Sequence, residues 1–123
     1  MFMDVGYIVK YGRLVPGREE KAFELFSETV TFWREPLRMG AITYFEPFLY
    51  ASGDSETDLG FFLVKGPEQE IRKILDTEEY RMLLTRGSYV VEHLTREWLI
   101  VSEEVMTQIE RSAKVATEFA TVP

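Results

Sequence analysis

The sequence predicts a small α+β domain in which a four-stranded antiparallel sheet carries two helices on one face. Three observations carry this prediction. Short segments rich in β-branched and aromatic residues alternate with segments whose apolar residues recur at helical spacing, in the order β-α-β-β-α-β. A length of 123 residues fits one domain, and folding at this size buries roughly two thirds of the unfolded surface. With 46% apolar and 14% aromatic residues, the chain is too rich in Phe and Tyr to stay disordered.

The first strand is expected over Val5 to Tyr11, closed by the turn Leu14-Val15-Pro16-Gly17. From Arg18 the period changes to a helical one: Ala22, Phe26, Val30 and Trp33 form a stripe, with Phe23 and Leu37 beside it. Glu19 and Glu20 lie in the first turn, where acids favour the helix dipole. Pro36 should end or kink this helix near Glu35, and Gly40 finishes the turn. A second strand follows over Ala41 to Tyr50, with Pro47 marking an edge or a bulge. A polar hairpin loop then leads to a third strand at Leu59 to Val64. Gly66-Pro67-Glu68 reads as a helix start, and Ile71, Ile74 and Leu75 supply that helix's apolar face. Thr77 looks like a cap that restarts the helix toward Leu84, with Gly87 as its stop. His93 to Val101 is the fourth strand, and Val105, Ile109, Ala113 and Ala116 mark an amphipathic C-terminal helix. This is the ferredoxin-like βαββαβ plan, expected as one domain over 1–123 with its core at about 4–103 and the terminal helix at about 104–120.

Charge and composition narrow the function classes. Lys and Arg total 14 against 21 Asp and Glu, a net charge of −7. Phosphate binding needs a positive footprint, so neither nucleic acid nor a membrane is expected as a partner. The chain has no cysteine, which removes disulfides, thiol nucleophiles and zinc–thiolate sites and fits a reducing compartment. Met1-Phe2-Met3-Asp4 lacks the basic and apolar pattern of a signal peptide, and the apolar run Leu59 to Val64 is too short to span a bilayer. A cytoplasmic location is the expectation.

The strands alternate only weakly. In strand three, Leu59, Phe61 and Leu63 oppose Phe62 and Val64; in strand two, Ile42, Tyr44, Phe48 and Tyr50 oppose Ala41, Phe45 and Leu49. In strand four, Trp98 and Ile100 oppose Leu99 and Val101. Two helices cover one face only, which would leave the other as a large exposed apolar patch that monomers rarely tolerate. A homodimer packing sheet against sheet is therefore expected.

Two segments carry a family resemblance: Leu75-Asp76-Thr77-Glu78-Glu79-Tyr80-Arg81 running on to His93, and the turn Arg38-Met39-Gly40-Ala41-Ile42-Thr43-Tyr44-Phe45. With the layout of about residues 4 to 103, they resemble the dimeric α/β-barrel superfamily, in the group of the stress-responsive barrel and antibiotic-biosynthesis monooxygenase-like proteins. The resemblance implies ferredoxin-like subunits paired through their sheets. It also implies a range of activities, from cofactor-free monooxygenases and haem-degrading enzymes to small-lactone isomerases. The haem-degrading members use an Asn, a Trp and a His together. This chain has Trp33, Trp98 and His93 but no Asn, which argues against that activity.

His93 is the only histidine, hence the one side chain whose ordinary pKa lies near neutrality and the natural candidate for a catalytic base. The alternative is a polar residue at the start of a strand, partly solvated. Tyr7, Trp33, Tyr44 and Phe61 are candidates to line a pocket between the first helix and the sheet, although aromatic stripes at this spacing also make plain core. The hydroxyls favour a pocket, because a buried Tyr needs a partner that a ligand can supply. Arg96, inside an apolar strand, either pairs with Glu46 or Glu97 across the sheet or binds a ligand carboxylate. Asp54-Ser55-Glu56-Thr57-Asp58 alternates oxygen ligands but lacks the Gly and the bidentate Glu of a calcium loop, so a solvated hairpin is expected. No phosphate loop and no G-x-S-x-G elbow is present, and neither a cofactor nor a metal is expected. The βαββαβ order also builds RNA-recognition domains. Here Gly60-Phe61-Phe62-Leu63-Val64 follows an acid instead of a base, in an acidic chain.

Three readings survive: a protein that binds a small apolar or aromatic molecule without turnover, a cofactor-independent monooxygenase or isomerase with His93 as base, and an interaction module. The first ranks ahead, because aromatic lining is clearer in the sequence than a catalytic pair.

Overall fold

The computed structural model describes residues 4–52 and 58–120. Its elements run β1 (Asp4–Tyr11), α1 (Glu19–Met39), β2 (Tyr44–Leu49), β3 (Gly60–Pro67), α2 (Glu68–Leu75), α3 (Glu78–Val90), β4 (Thr95–Ile100) and α4 (Glu103–Glu118). The strands form one antiparallel sheet in the order β2-β3-β1-β4, the ferredoxin-like arrangement. Register places Tyr7 opposite Val64 on one side and Trp98 on the other.

Burial alternates more cleanly than the sequence does. Along β3, Gly60, Phe62, Val64 and Gly66 are buried while Phe61, Leu63 and Lys65 between them are half-exposed. The helix-covered face presents Tyr7, Val9 and Tyr11 of β1 with Phe62 and Val64 of β3. Against them pack Val30 and Trp33 of α1, Ile71 of α2 and Tyr80 of α3, which together make the hydrophobic core. The uncovered face carries Ile8, Phe48, Phe61, Leu63 and Leu99, all half-buried within the protomer.

Several boundaries differ from the sequence reading, each for a local reason. Pro36 neither ends nor replaces the last turn of α1, which continues to Met39. Gly40 adopts φ 81°, its N–H donates to the Leu37 carbonyl, and the Ala41 N–H donates to the Pro36 carbonyl. This paired closure satisfies the final carbonyls one turn beyond the proline. Gly66 and Pro67 belong to β3, so α2 starts at Glu68. Gly87 does not stop α3; it lies buried inside it, where a Cβ would come within 3.2 Å of Leu94 Cδ2. Strand β2 starts at Tyr44, not Ala41, and β4 at Thr95, not His93. The Thr77 cap forms as expected, its hydroxyl oxygen accepting from the Tyr80 N–H. Helix α4 has an apolar stripe but buries no residue within the protomer. Among the described residues no helix is long and apolar enough to cross a membrane.

Candidate functional site

Between α1, α3 and the helix-covered face of the sheet lies a cavity of about 460 Å³, within the range of small-molecule sites. Helical spacing builds two of its walls. Ala22, Phe26, Thr29 and Trp33 repeat every three or four residues along α1, and Tyr80, Leu83, Leu84 and Gly87 do so along α3. Strand alternation builds the floor from Val9, Tyr11 and Phe62. Leu14, Val91 and Leu94 close one end. Phe23 and Leu49, each 63% exposed, border the opening. Gly87 belongs to the wall because its missing side chain lets Leu94 approach α3.

Among the described residues the lining contains no charged side chain. Its hydroxyls differ in what they touch. Thr29 donates to the Leu25 carbonyl of its own helix. Tyr80 shares a 2.6 Å hydrogen bond with the Tyr7 hydroxyl behind the wall. The Tyr11 hydroxyl is the one buried side-chain polar atom without a hydrogen-bond partner among the described residues. Burial pushes its pKa up to about 12, so it is a neutral donor at physiological pH. Gly60 allows its position: a Cβ there would meet the Phe48 carbonyl oxygen at 2.2 Å and the Tyr11 hydroxyl at 2.9 Å. Glycine is required here by the Phe48 backbone oxygen, and it leaves room for the Tyr11 hydroxyl as well.

Behind the cavity, aromatic rings pack edge to face. Trp33 meets Tyr80 at 5.7 Å and 69°, and Tyr7 lies 5.3 Å from Trp98. The Arg72 guanidinium stacks over the outer face of this group, 4.7 Å from the Trp98 ring. Burial raises the pKa of both Tyr7 and Tyr80; at Tyr7 the Tyr80 hydrogen bond and the Arg96 charge act against it.

Of the sequence candidates, Trp33 lines the cavity, and Tyr7 stands behind its wall through Tyr80. Tyr44 and Phe61 do not join them, because their register puts them on the uncovered face beside Lys65 and Phe48. Arg96 lies on the helix-covered face opposite Val9 and is exposed, whereas Glu46 and Glu97 project from the other face, so neither pairs with it. His93 is exposed in the α3–β4 turn at φ 55°, between the lining residues Val91 and Leu94 but not itself in the lining. The oxygen-rich stretch weighed as a calcium loop falls, apart from Asp58, outside the described residues. Among the described residues no group of three or more His, Cys, Asp or Glu is placed to hold a metal ion. Sequence reasoning missed Tyr11 and Tyr80. Tyr11 repeats the two-residue alternation of Tyr7 and Val9, a signal of shared facing that was available.

No protein-family model matches the sequence. No curated protein matches it either. Solved structures do match in fold. A conserved protein from Methanosarcina mazei superposes with a TM-score of 0.61 at 10% identity, over 81% of this chain and 95% of that one. A dimeric protein of unknown function and ferredoxin-like fold from Bacteroides fragilis gives 0.54 at 17% identity, over 80% and 96%. SnoaB, a cofactor-independent oxygenase from Streptomyces nogalater, gives 0.56 at 12% identity, over 81% and 94%. The chain is thus similar in fold to dimeric ferredoxin-like and monooxygenase-like proteins.

Proposed function

We propose that this chain is a homodimeric α/β-barrel protein that binds a small apolar or aromatic molecule in the cavity between α1, α3 and the sheet. The observation that carries the reading is the cavity itself: about 460 Å³ of space walled by apolar and aromatic side chains where a domain of this size would ordinarily close its core. Dimerisation is supported by the apolar row Ile8, Phe48, Phe61, Leu63 and Leu99 on the uncovered face. The dimeric Bacteroides fragilis neighbour supports it as well. The net charge of −7 fits the absence of nucleic acid or membrane from its partners, and the cysteine-free chain fits the cytoplasm.

A cofactor-independent oxygenase or isomerase is the second reading, favoured by the fold shared with SnoaB. Its weakness is the base, since His93 is exposed on a turn beside the cavity.

Binding is tested with N-phenylnaphthylamine, an uncharged dye that brightens in apolar surroundings. Wild type should bind it, and Ala22→Phe, which fills the cavity from α1, should abolish binding while circular dichroism stays native. Dye binding unchanged in Ala22→Phe would refute the assignment of the site. For assembly, sedimentation should give a dimer for wild type and a folded monomer for Leu63→Glu; a monomeric wild type at micromolar concentration ends the dimer reading.

A further inference from the structure

We infer that the ligand of this cavity is uncharged and presents one oxygen that accepts a hydrogen bond from the Tyr11 hydroxyl, an inference that rests on the binding reading above. Two independent features of the lining lead to it.

The first is charge. With no Asp, Glu, Lys, Arg or His among the described residues of the lining, an ionised group would lose its hydration and gain no counter-charge from them. A carboxylate or an amine is disfavoured by the same chemistry that makes the walls suit an aromatic or alicyclic body.

The second is the uncommitted hydroxyl. Thr29 donates to its own helix and Tyr80 is bonded to Tyr7, so among the described residues of the lining Tyr11 alone is left. It is 6% exposed; its ring packs on Phe62 at 5.5 Å, and the absent side chain of Gly60 leaves room for the hydroxyl. A hydrocarbon in the cavity would leave this donor dry. The hydroxyl is covered in the empty cavity, with Leu49, exposed at the opening, beside it at the Gly60 position; a carbonyl or ether oxygen that displaces the Leu49 side chain would satisfy it, which makes Tyr11 a specificity-determining residue. A phenol is a better donor than acceptor, which favours a carbonyl over an alcohol at that point.

Three probes of one shape separate the possibilities: acetylnaphthalene, ethylnaphthalene and naphthoate. By equilibrium dialysis the wild type should bind the ketone about tenfold more tightly than the hydrocarbon, and naphthoate weakest. Tyr11→Phe keeps the ring and should erase the preference by weakening the ketone alone. Its native fold is checked by an unchanged or raised melting temperature. Equal wild-type affinity for ketone and hydrocarbon, or a preference that survives Tyr11→Phe, overturns the inference and leaves the binding reading standing. Naphthoate binding as tightly as the ketone overturns it as well. Failure to bind any of the three overturns the binding reading, and this inference with it.

Discussion

The Tyr7 and Tyr80 hydroxyls meet at 2.6 Å inside the core, joining β1 to α3 across 73 residues of sequence. Both rings are nearly inaccessible, at 2% and 3% exposure, and both flank Trp33. The pair therefore holds the back wall of the cavity in place, and the Thr77 cap sets the start of the helix that delivers Tyr80.

Removing one hydroxyl strands the other, and the two halves are not equivalent. The Arg96 side chain acts on Tyr7 through both charge and hydrogen bonding but on Tyr80 through charge alone, so Tyr80 is left the poorer when its partner is lost. Tyr7→Phe should therefore destabilise more than Tyr80→Phe, with both within about 1–3 kcal/mol in urea unfolding. The double Phe variant should cost less than the sum of the singles, because no buried hydroxyl is then left unpaired. Additive losses would show that the hydrogen bond contributes nothing beyond packing.

Alkaline pH probes Tyr11 separately. Its pKa is raised by burial from 10 to about 12, so the folded state holds the proton more tightly than the unfolded one. Below pH 10 the group is neutral in both states and stability does not depend on its ionisation; from pH 10 toward 12 the unfolded state ionises first, so stability falls over that window. Two pH units correspond to about 3 kcal/mol. Tyr11→Phe should flatten this part of the stability–pH curve; Tyr7 and Tyr80, raised by burial, and Tyr44, raised by its hydrogen bond to Glu46, contribute to the slope that remains. In Tyr11→Phe, tyrosinate absorbance should lose a component that ionises near pH 12 in the wild type. A curve unchanged by Tyr11→Phe would contradict the burial of its hydroxyl.

These residues also show how far sequence reasoning reaches. The stripe Ala22, Phe26, Val30 and Trp33, the Thr77 cap and the order of strands and helices along the chain were legible because they depend on local period and local hydrogen bonding. The helix did not end at Pro36 because a proline in the last turn leaves only one carbonyl unpaired, while Gly40 still closes the helix after it. Gly87 was misread because its role, admitting Leu94 beside α3, is a tertiary one. Tyr44 and Phe61 were grouped with Tyr7 because facing across strands is set by register, which a single chain does not print. The same holds for the tyrosine hydroxyls. Nothing near Tyr7 in sequence says that its partner is Tyr80, or that Tyr11 has none.

Helix α4 gives a prediction about assembly. Val105, Ile109 and Met106 are 37%, 53% and 58% exposed, so the helix contributes little to the fold of a single protomer. Covering that stripe against the partner would make its contribution appear only in the dimer. Truncation after Glu104 should leave the circular dichroism of the remaining elements intact and lower the melting temperature more at low protein concentration than at high. A truncated protein that melts like the full chain at every concentration would show that α4 joins neither core nor interface.

The last prediction concerns His93. Its ring is exposed, and its backbone lies at φ 55°, a region that any residue with a Cβ enters at a cost. His93→Ala keeps the Cβ, so the backbone cost is unchanged, and the loss of an exposed ring should alter stability by no more than roughly 0.5 kcal/mol. The cavity walls on either side, Val91 and Leu94, stay in place, so dye affinity should equal that of wild type. The variant then separates the two functional readings. If the chain turns over an apolar metabolite with His93 as base, His93→Ala should abolish turnover of that metabolite while binding persists, because no other histidine exists to replace it. If the chain only binds, no property in solution should change beyond the stability margin. A loss of several kcal/mol in the thermal melt would place His93 in a structural role that its exposure does not show, and would leave the enzyme reading without its base.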